Sequence, residues 1–188
     1  HIEFGQGLSL WSGLNFGKSA AACDVKYYGQ GIRPSTSVNE NHFFRGAAAT
    51  IGNQNLDLTI FYSGQKTDGN LLPSAGFGNE SISCILQSGN HRSINELLDK
   101  NTLYLQAYGL HISYSHQTYG LGITYYKTLF TPPLNDGSKP YQYFYFHGKQ
   151  MQNAGFDFNY SLQKVILFGE MAGNGFQNIS GLFGLDAC

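Results

Sequence analysis

Between Gly109 and Tyr126 the chain reads GLHISYSHQTYGLGITYY. Leu110, Ile112 and Tyr114 alternate with His111, Ser113 and Ser115. After a short Gln-Thr-Tyr-Gly connection, Leu121, Ile123 and Tyr125 alternate with Gly120, Gly122 and Thr124. Strict period-two alternation puts apolar residues on one face of a strand and polar or small ones on the other. Two such runs joined by a short Gly-containing link predict a β-hairpin.

The same unit recurs. Residues 1–19 alternate loosely through Ile2, Phe4, Leu8 and Leu10, with Gly5, Gly7, Gly13 and Gly17 as bends or points of close backbone approach. Residues 20–42 carry turn chemistry at Gly29, Gly31, Pro34 and Ser35–Ser37, and read as a loop or a segment folded inside a barrel. Phe43–Ile51 is a strand, Asn53–Asn55 turns the chain, and Leu56, Leu58, Ile60 and Tyr62 alternate with Asp57, Thr59 and Ser63. Residues 64–79 read as a long exposed loop and Ser81–Gln87 as a short strand. Ser93-Ile94-Asn95-Glu96 has capping-box spacing, which predicts one short helix near 93–100. From Thr102 the meander is nearly continuous. Pro132–Gly137 is a loop signal, Tyr141–Lys149 an aromatic strand, and Ser161–Lys164 a turn. Ala154, Phe156, Phe158, Tyr160 and Leu162 alternate with Gly155, Asp157, Asn159 and Ser161. Val165–Gly173 and Phe176–Leu185 follow.

This amounts to roughly ten strands, many near the 9–11 residues that cross a bilayer when tilted. Connections alternate between short and long, and aromatics (Tyr119, Tyr125, Tyr126, Phe130, Tyr141) crowd strand ends, as in outer-membrane barrels. The predicted fold class is therefore all-β: an antiparallel meander forming a transmembrane β-barrel, or a fragment of one. Residues 1–188 make a single domain, and both ends look cut, the last in the middle of an alternating run. Leu110, Ile112, Tyr114, Leu121, Ile123, Phe156, Phe158 and Tyr160 are expected to face lipid, and Ser113, Thr124, Asp157 and Asn159 the lumen.

Composition fits this picture. Charged residues are only 12 % against about 25 % for a soluble domain, and Gly, at 24 of 188, has nearly double its usual share of about 7 %. Aromatics reach 15 %, with 13 Tyr, 14 Phe and one Trp. Mean hydropathy is negative, and no apolar run approaches the roughly 18 residues of a membrane helix. A barrel wall hides its membrane signal, because every second residue faces away from lipid. A net charge of −1 gives no general argument for nucleic acid. Cys23, Cys84 and Cys188 are widely spaced and odd in number, which leaves at least one free.

Candidate chemistry is sparse. Gly13-Leu-Asn-Phe-Gly17-Lys18-Ser19 has three residues between its glycines where a P-loop has four. The six histidines (His1, His42, His91, His111, His116, His147) form neither HExxH nor a Cys/His pair, and His111 and His116, five apart on one strand, point to opposite faces. No Gly-x-Ser-x-Gly elbow occurs. Asp57, Asp157 and Glu170 lie in strands, where paired carboxylates serve acid–base catalysis and single ones line a lumen. Three glycosylation sequons, Asn79–Ser81, Asn159–Ser161 and Asn178–Ser180, are short patterns of little weight. Nothing calls for a cofactor, a metal or an enzyme.

Several blocks carry a family resemblance: Phe4–Leu8, Phe16–Ser19, Gly31-Ile32, Ser35–Ser37, Glu40 with Phe43–Ala49, and Gly89-Asn-His91-Arg92-Ser93. Together they resemble the barrel region of a Bacteroidota outer-membrane β-barrel family whose members often carry an N-terminal helix-hairpin-helix segment. The resemblance spans residues 1 to about 105. It implies a bacterial outer-membrane location, a lipid bilayer and other envelope proteins as partners, and a parent longer than this chain. The helix-hairpin-helix part is missing here, so direct nucleic-acid binding is not expected. The expected role is a passive pore or scaffold for transport, without catalysis. The alternative is a soluble or secreted β-sandwich binding module, which alternates similarly but carries more charge outside. A β-rich glycosidase needs two carboxylates about 5–10 Å apart in a cleft.

Overall fold

The computed structural model describes residues 2–5, 31–33, 44–72, 80–86, 89–135, 146–174 and 178–187. Strands β1 (Ile2–Glu3) and β2 (Gly31–Ile32) pair antiparallel as a small separate sheet. The main sheet begins with β3 (Gly46–Gly52) and β4 (Leu56–Thr67), joined by the Asn53–Asn55 turn. Asn53 closes that turn, its Oδ1 accepting the N–H groups of Asn55 at 3.0 Å and Leu56 at 3.1 Å. β5 (Gly69–Leu72) and β6 (Ser81–Ile85) form a side hairpin, and α1 (Ile94–Leu98) leads into β7 (Leu103–Ser115). Four long strands finish the meander: β8 (Tyr119–Leu134), β9 (Gly148–Leu162), β10 (Val165–Asn174) and β11 (Asn178–Ala187).

The fold is an antiparallel all-β meander with one short helix. Its strand order is β11-β10-β9-β8-β7-β4-β3, with β5 and β6 off this path, and among the described residues it does not close on itself. β6 touches β8 in parallel at the single pair Ile82 and Leu134. Helix α1 forms where the capping box predicts it. Ser93 Oγ accepts the Glu96 N–H, and Glu96 Oε2 accepts the N–H of Ser93 at 2.9 Å and of Arg92 at 2.6 Å. Two peptide N–H groups that a helix start leaves open are thereby satisfied.

Three expectations are corrected. Residues 64–79 are not one loop, because β4 runs on to Thr67 and β5 takes 69–72. Pro132, Pro133 and Leu134 do not leave the sheet but end β8; the prolines offer no N–H, and the β8–β9 register breaks between Leu129 and Leu134. His116 is not on the strand of His111, since β7 ends at Ser115 and His116 belongs to the following turn. Several expectations fall outside the described residues. These are residues 6–19 with the P-loop-like run, most of 20–42, residues 73–79, 136–145 and 175–177, His1, His42, Cys23 and Cys188; of the expected strand Tyr141–Lys149, Phe146 and His147 lie outside any strand and β9 begins at Gly148.

The registers align strands into transverse rows. One runs Gly52, Asp57, Ser113, Gly122, Asp157, Glu170, Leu182 across seven strands. Measured from this row, the β3–β4 ladder ends at the row itself, on Gly52 and Asp57. The β7–β8 ladder ends two residues further toward the turns, on Ser115 and Gly120, and the β9–β10 ladder five further, on Leu162 and Val165. Each hairpin is thus displaced past its predecessor in one direction.

The hydrophobic core proper is small. Ile82, Leu103, Leu105 and Phe130 are buried together, with Leu71, Leu134, Phe146 and Met151 against them. It lies at the end of the sheet opposite the short turns, where the β5–β6 hairpin covers β7 and β8.

Candidate functional site

Alternation assigns every long strand two faces, and the registers join them across the sheet. One face carries Ile51, Leu58, Ile112, Ile123, Phe156 and Met171 in a single row. The next row toward the turns is Leu56, Tyr114, Leu121, Phe158, Gly169 and Phe183. Leu110 and Tyr160 belong to the same face. The opposite face carries Thr59, His111, Thr124, Gly155, Ala172 and Ser180, beside the row that holds Asp57, Ser113, Asp157 and Glu170. Asn159 lies one row further on that polar face, over Gly120.

Burial is inverted relative to a protein folded in water. On the apolar face Ile51 is 71 %, Phe183 69 % and Ile123 51 % exposed. On the polar face Thr59 is 5 %, Asn153 6 % and Glu170 3 % exposed. Two pairs of buried polar groups meet there: His111 Nδ1 and Thr124 Oγ1 are 2.7 Å apart, and Asn153 Nδ2 donates to the Tyr126 hydroxyl at 2.6 Å, whereas the buried hydroxyls of Thr67 and Thr128 have no hydrogen-bond partner among the described residues. Such pairing is what burial of polar groups requires.

Gly109 sits between Phe61 and Tyr126 on this polar face; a Cβ there would lie 2.7 Å from atoms of both side chains. The Phe61 ring packs over the bare backbone, a device that stabilises glycine within a sheet.

The acidic residues are now placed. Asp157 and Glu170 are direct cross-strand partners, while Asp57 lies three strands from Asp157 in the same row. Directly opposed residues have Cβ atoms about 4.5–5.5 Å apart. Glu170 is covered, however. A Cβ built on Gly5 would lie 2.6 Å from its Oε1, so the Gly5 backbone rests against the carboxylate. Phe4 stacks on His111 with ring centroids 4.0 Å apart and planes 11° from parallel. Nothing in the alternation marked residues 4 and 5 as occupants of the polar face.

At the long-connection end, Asp68 gathers the loop. Its Oδ1 accepts the Asn101 N–H at 2.9 Å, and its Oδ2 lies 2.8 Å from His91 Nε2. His116 stacks on Tyr119 at the turn end. Cys84 is a free, exposed thiol. Among the described residues no three His, Cys, Asp or Glu side chains converge as a metal site, and no helix is long and apolar enough to cross a membrane.

No protein-family model matches the chain, and neither a curated protein nor a solved structure matches it significantly.

Proposed function

We propose that this chain forms wall of a bacterial outer-membrane β-barrel and serves as a passive pore or scaffold for transport, without catalysis. The inversion of burial carries this reading. A sheet in water hides its apolar face; this one presents Ile51, Ile112, Ile123 and Phe156 outward and encloses Thr59, Thr124, Asn153 and Glu170. Lipid accepts the first face, and a water-containing lumen the second.

Two further features support it. The hairpin ladders advance five residues across four strands. At about 3.3 Å per residue and 4.8 Å between strands, that stagger corresponds to a tilt of about 40° from the barrel axis. Membrane barrels tilt by roughly 35–45°. Tyrosines also border the apolar face at both margins: Tyr114, Tyr119 and Tyr160 toward the short turns, and Tyr62 and Tyr108 toward the long connections. Outer-membrane barrels carry aromatic girdles in these places. A soluble β-sandwich would cover the apolar face with a second layer, and no described element lies over it.

The test is fractionation of the producing cells, followed by gel migration of the outer-membrane fraction with and without boiling. Retention there with heat-modifiable migration is expected. A soluble protein that needs no detergent would overturn the reading in favour of the sandwich.

A further inference from the structure

The polar face has an occupant from the chain itself. Phe4 stacks on His111 of β7, and Gly5 rests on Glu170 of β10. Consecutive residues thus touch strands three apart in the sheet, which spans the interior rather than following one strand. Both anchors sit in the polar middle of that face. The apolar cluster at its end draws on β6, β7 and β8, with no residue from β10 or β11. That cluster therefore does not extend to the side lined by Asp157 and Glu170, where Phe168 is buried and Gly5 lies.

Gly5 is fitted to its place. Its φ is +93°, a left-handed conformation that glycine adopts at little cost, and any side chain would collide with the Glu170 carboxylate. Pairing of β1 with β2 through Ile2–Ile32 and Glu3–Gly31 stiffens the segment.

We infer that residues 2–5, braced by β2, are an internal plug: this stretch of the chain docks on the polar face and obstructs passage along it. The inference rests on the barrel reading above. The plug seats through two contacts of different kinds, a stacked ring pair at Phe4 and a close backbone approach at Gly5. Unseating it opens the interior without altering the wall, so the equilibrium between seated and unseated forms sets the flux.

The experiment uses purified full-length protein in planar bilayers, reading open probability at fixed voltage. Phe4→Ala removes the stacked pair and is expected to raise the ratio of open to closed time roughly three- to tenfold, the weight of one such contact. Gly5→Asp sets a second carboxylate against Glu170 in a strained backbone and is expected to raise it at least as much. Phe4→Cys with His111→Cys, in a background where Cys23, Cys84 and Cys188 are Ser, should behave like Phe4→Ala until a short bifunctional thiol reagent links the pair and restores the closed state. Heat-modifiable migration of each variant verifies the wall. Variants that insert with an intact wall yet conduct like wild type overturn the plug and leave the barrel standing. A wild-type protein that neither inserts nor shifts on boiling overturns the barrel reading and the plug with it.

Discussion

Ile123 is the position where the membrane reading makes its sharpest demand. It lies midway along the outer run of β8, four residues from Tyr119 and four from Lys127. Four residues span about 13 Å along a strand and about 10 Å along the membrane normal at the tilt derived from the stagger. Its row neighbours are Ile112 on β7 and Phe156 on β9, both exposed and apolar. On the membrane reading Ile123 therefore belongs at the bilayer midplane, flanked in its row by apolar side chains. Ile123→Arg is expected to cost about 2–4 kcal/mol, the price of a cation at that depth, and Leu129→Arg, beyond Lys127, about 0–1 kcal/mol. If water covered this face, both substitutions would stay within about 0.5 kcal/mol, because Ile123 is half exposed and contributes little burial. The assay is guanidinium unfolding in phospholipid vesicles, with the folded fraction read from unboiled gels. The contrast between the two variants is the quantity of interest, since it cancels effects on vesicle binding. Equal, small costs at both positions would refute the assignment of this face to lipid.

Perturbations at two other sites, the α1 cap and Asp68, address the loop end. Ser93→Ala removes the oxygen that accepts the Glu96 N–H, and should weaken the α1 start by about 1 kcal/mol, seen as faster amide exchange at Leu97. The N–H of Arg92 first, and that of Ser93 second, hold the Glu96 carboxyl below its ordinary value. A depressed folded value means stability that is present above the ordinary value of 4.5 and lost as pH falls through the lower folded one. The protection difference between wild type and Glu96→Gln at α1 should therefore vanish in acid and persist at neutral pH. Asp68→Ala orphans the Asn101 N–H and frees His91, with an expected cost of about 1–3 kcal/mol by denaturant unfolding, whereas His91→Ala should cost less.

The strands were legible in the sequence wherever the two faces differ in polarity. From Leu56 to Tyr62 the apolar side chains mark the outer face, and the alternation locates β4 correctly. Past Tyr62 the outer positions are Gly64 and Lys66 and the inner ones Ser63, Gln65 and Thr67, so contrast disappears although the ladder with β7 continues to Leu103. A strand that outruns the apolar band reads as loop. The helix was legible because its cap is a local contact between residues three apart. Register was not, because any even shift preserves the faces. For that reason Asp57, Asp157 and Glu170 were visible as strand carboxylates, while their common row, and the pairing of Asp157 with Glu170, needed the structure. The contacts of Phe4 and Gly5 join residues more than a hundred positions apart and leave no periodic trace.

The strand order carries one further consequence. Among the described residues the path from β3 to β11 holds seven strands, each antiparallel to the next, so β3 and β11 run in the same direction. Direct closure of one on the other would make a parallel seam. Bacterial outer-membrane barrels are antiparallel throughout, with an even strand number of eight or more. On the membrane reading, edges of β3 and β11 left unpaired in hydrocarbon would also have no water to satisfy their N–H and C=O groups, a cost of several kcal/mol per group. The working wall is therefore expected to hold at least one more strand between them, from this protein or from a neighbouring copy. Adjacent strands bring Cα atoms within the roughly 4.4–6.8 Å that a disulfide bridges, and one intervening strand moves them to about 10 Å. A scan of cysteine pairs between β3 and β11 in the membrane-embedded protein, such as Ala49→Cys with Phe183→Cys, should yield no efficient cross-link in any register. Efficient linking of one register, with heat-modifiable migration retained, would mean that these seven strands close on themselves, and would remove the even-numbered antiparallel barrel from the argument.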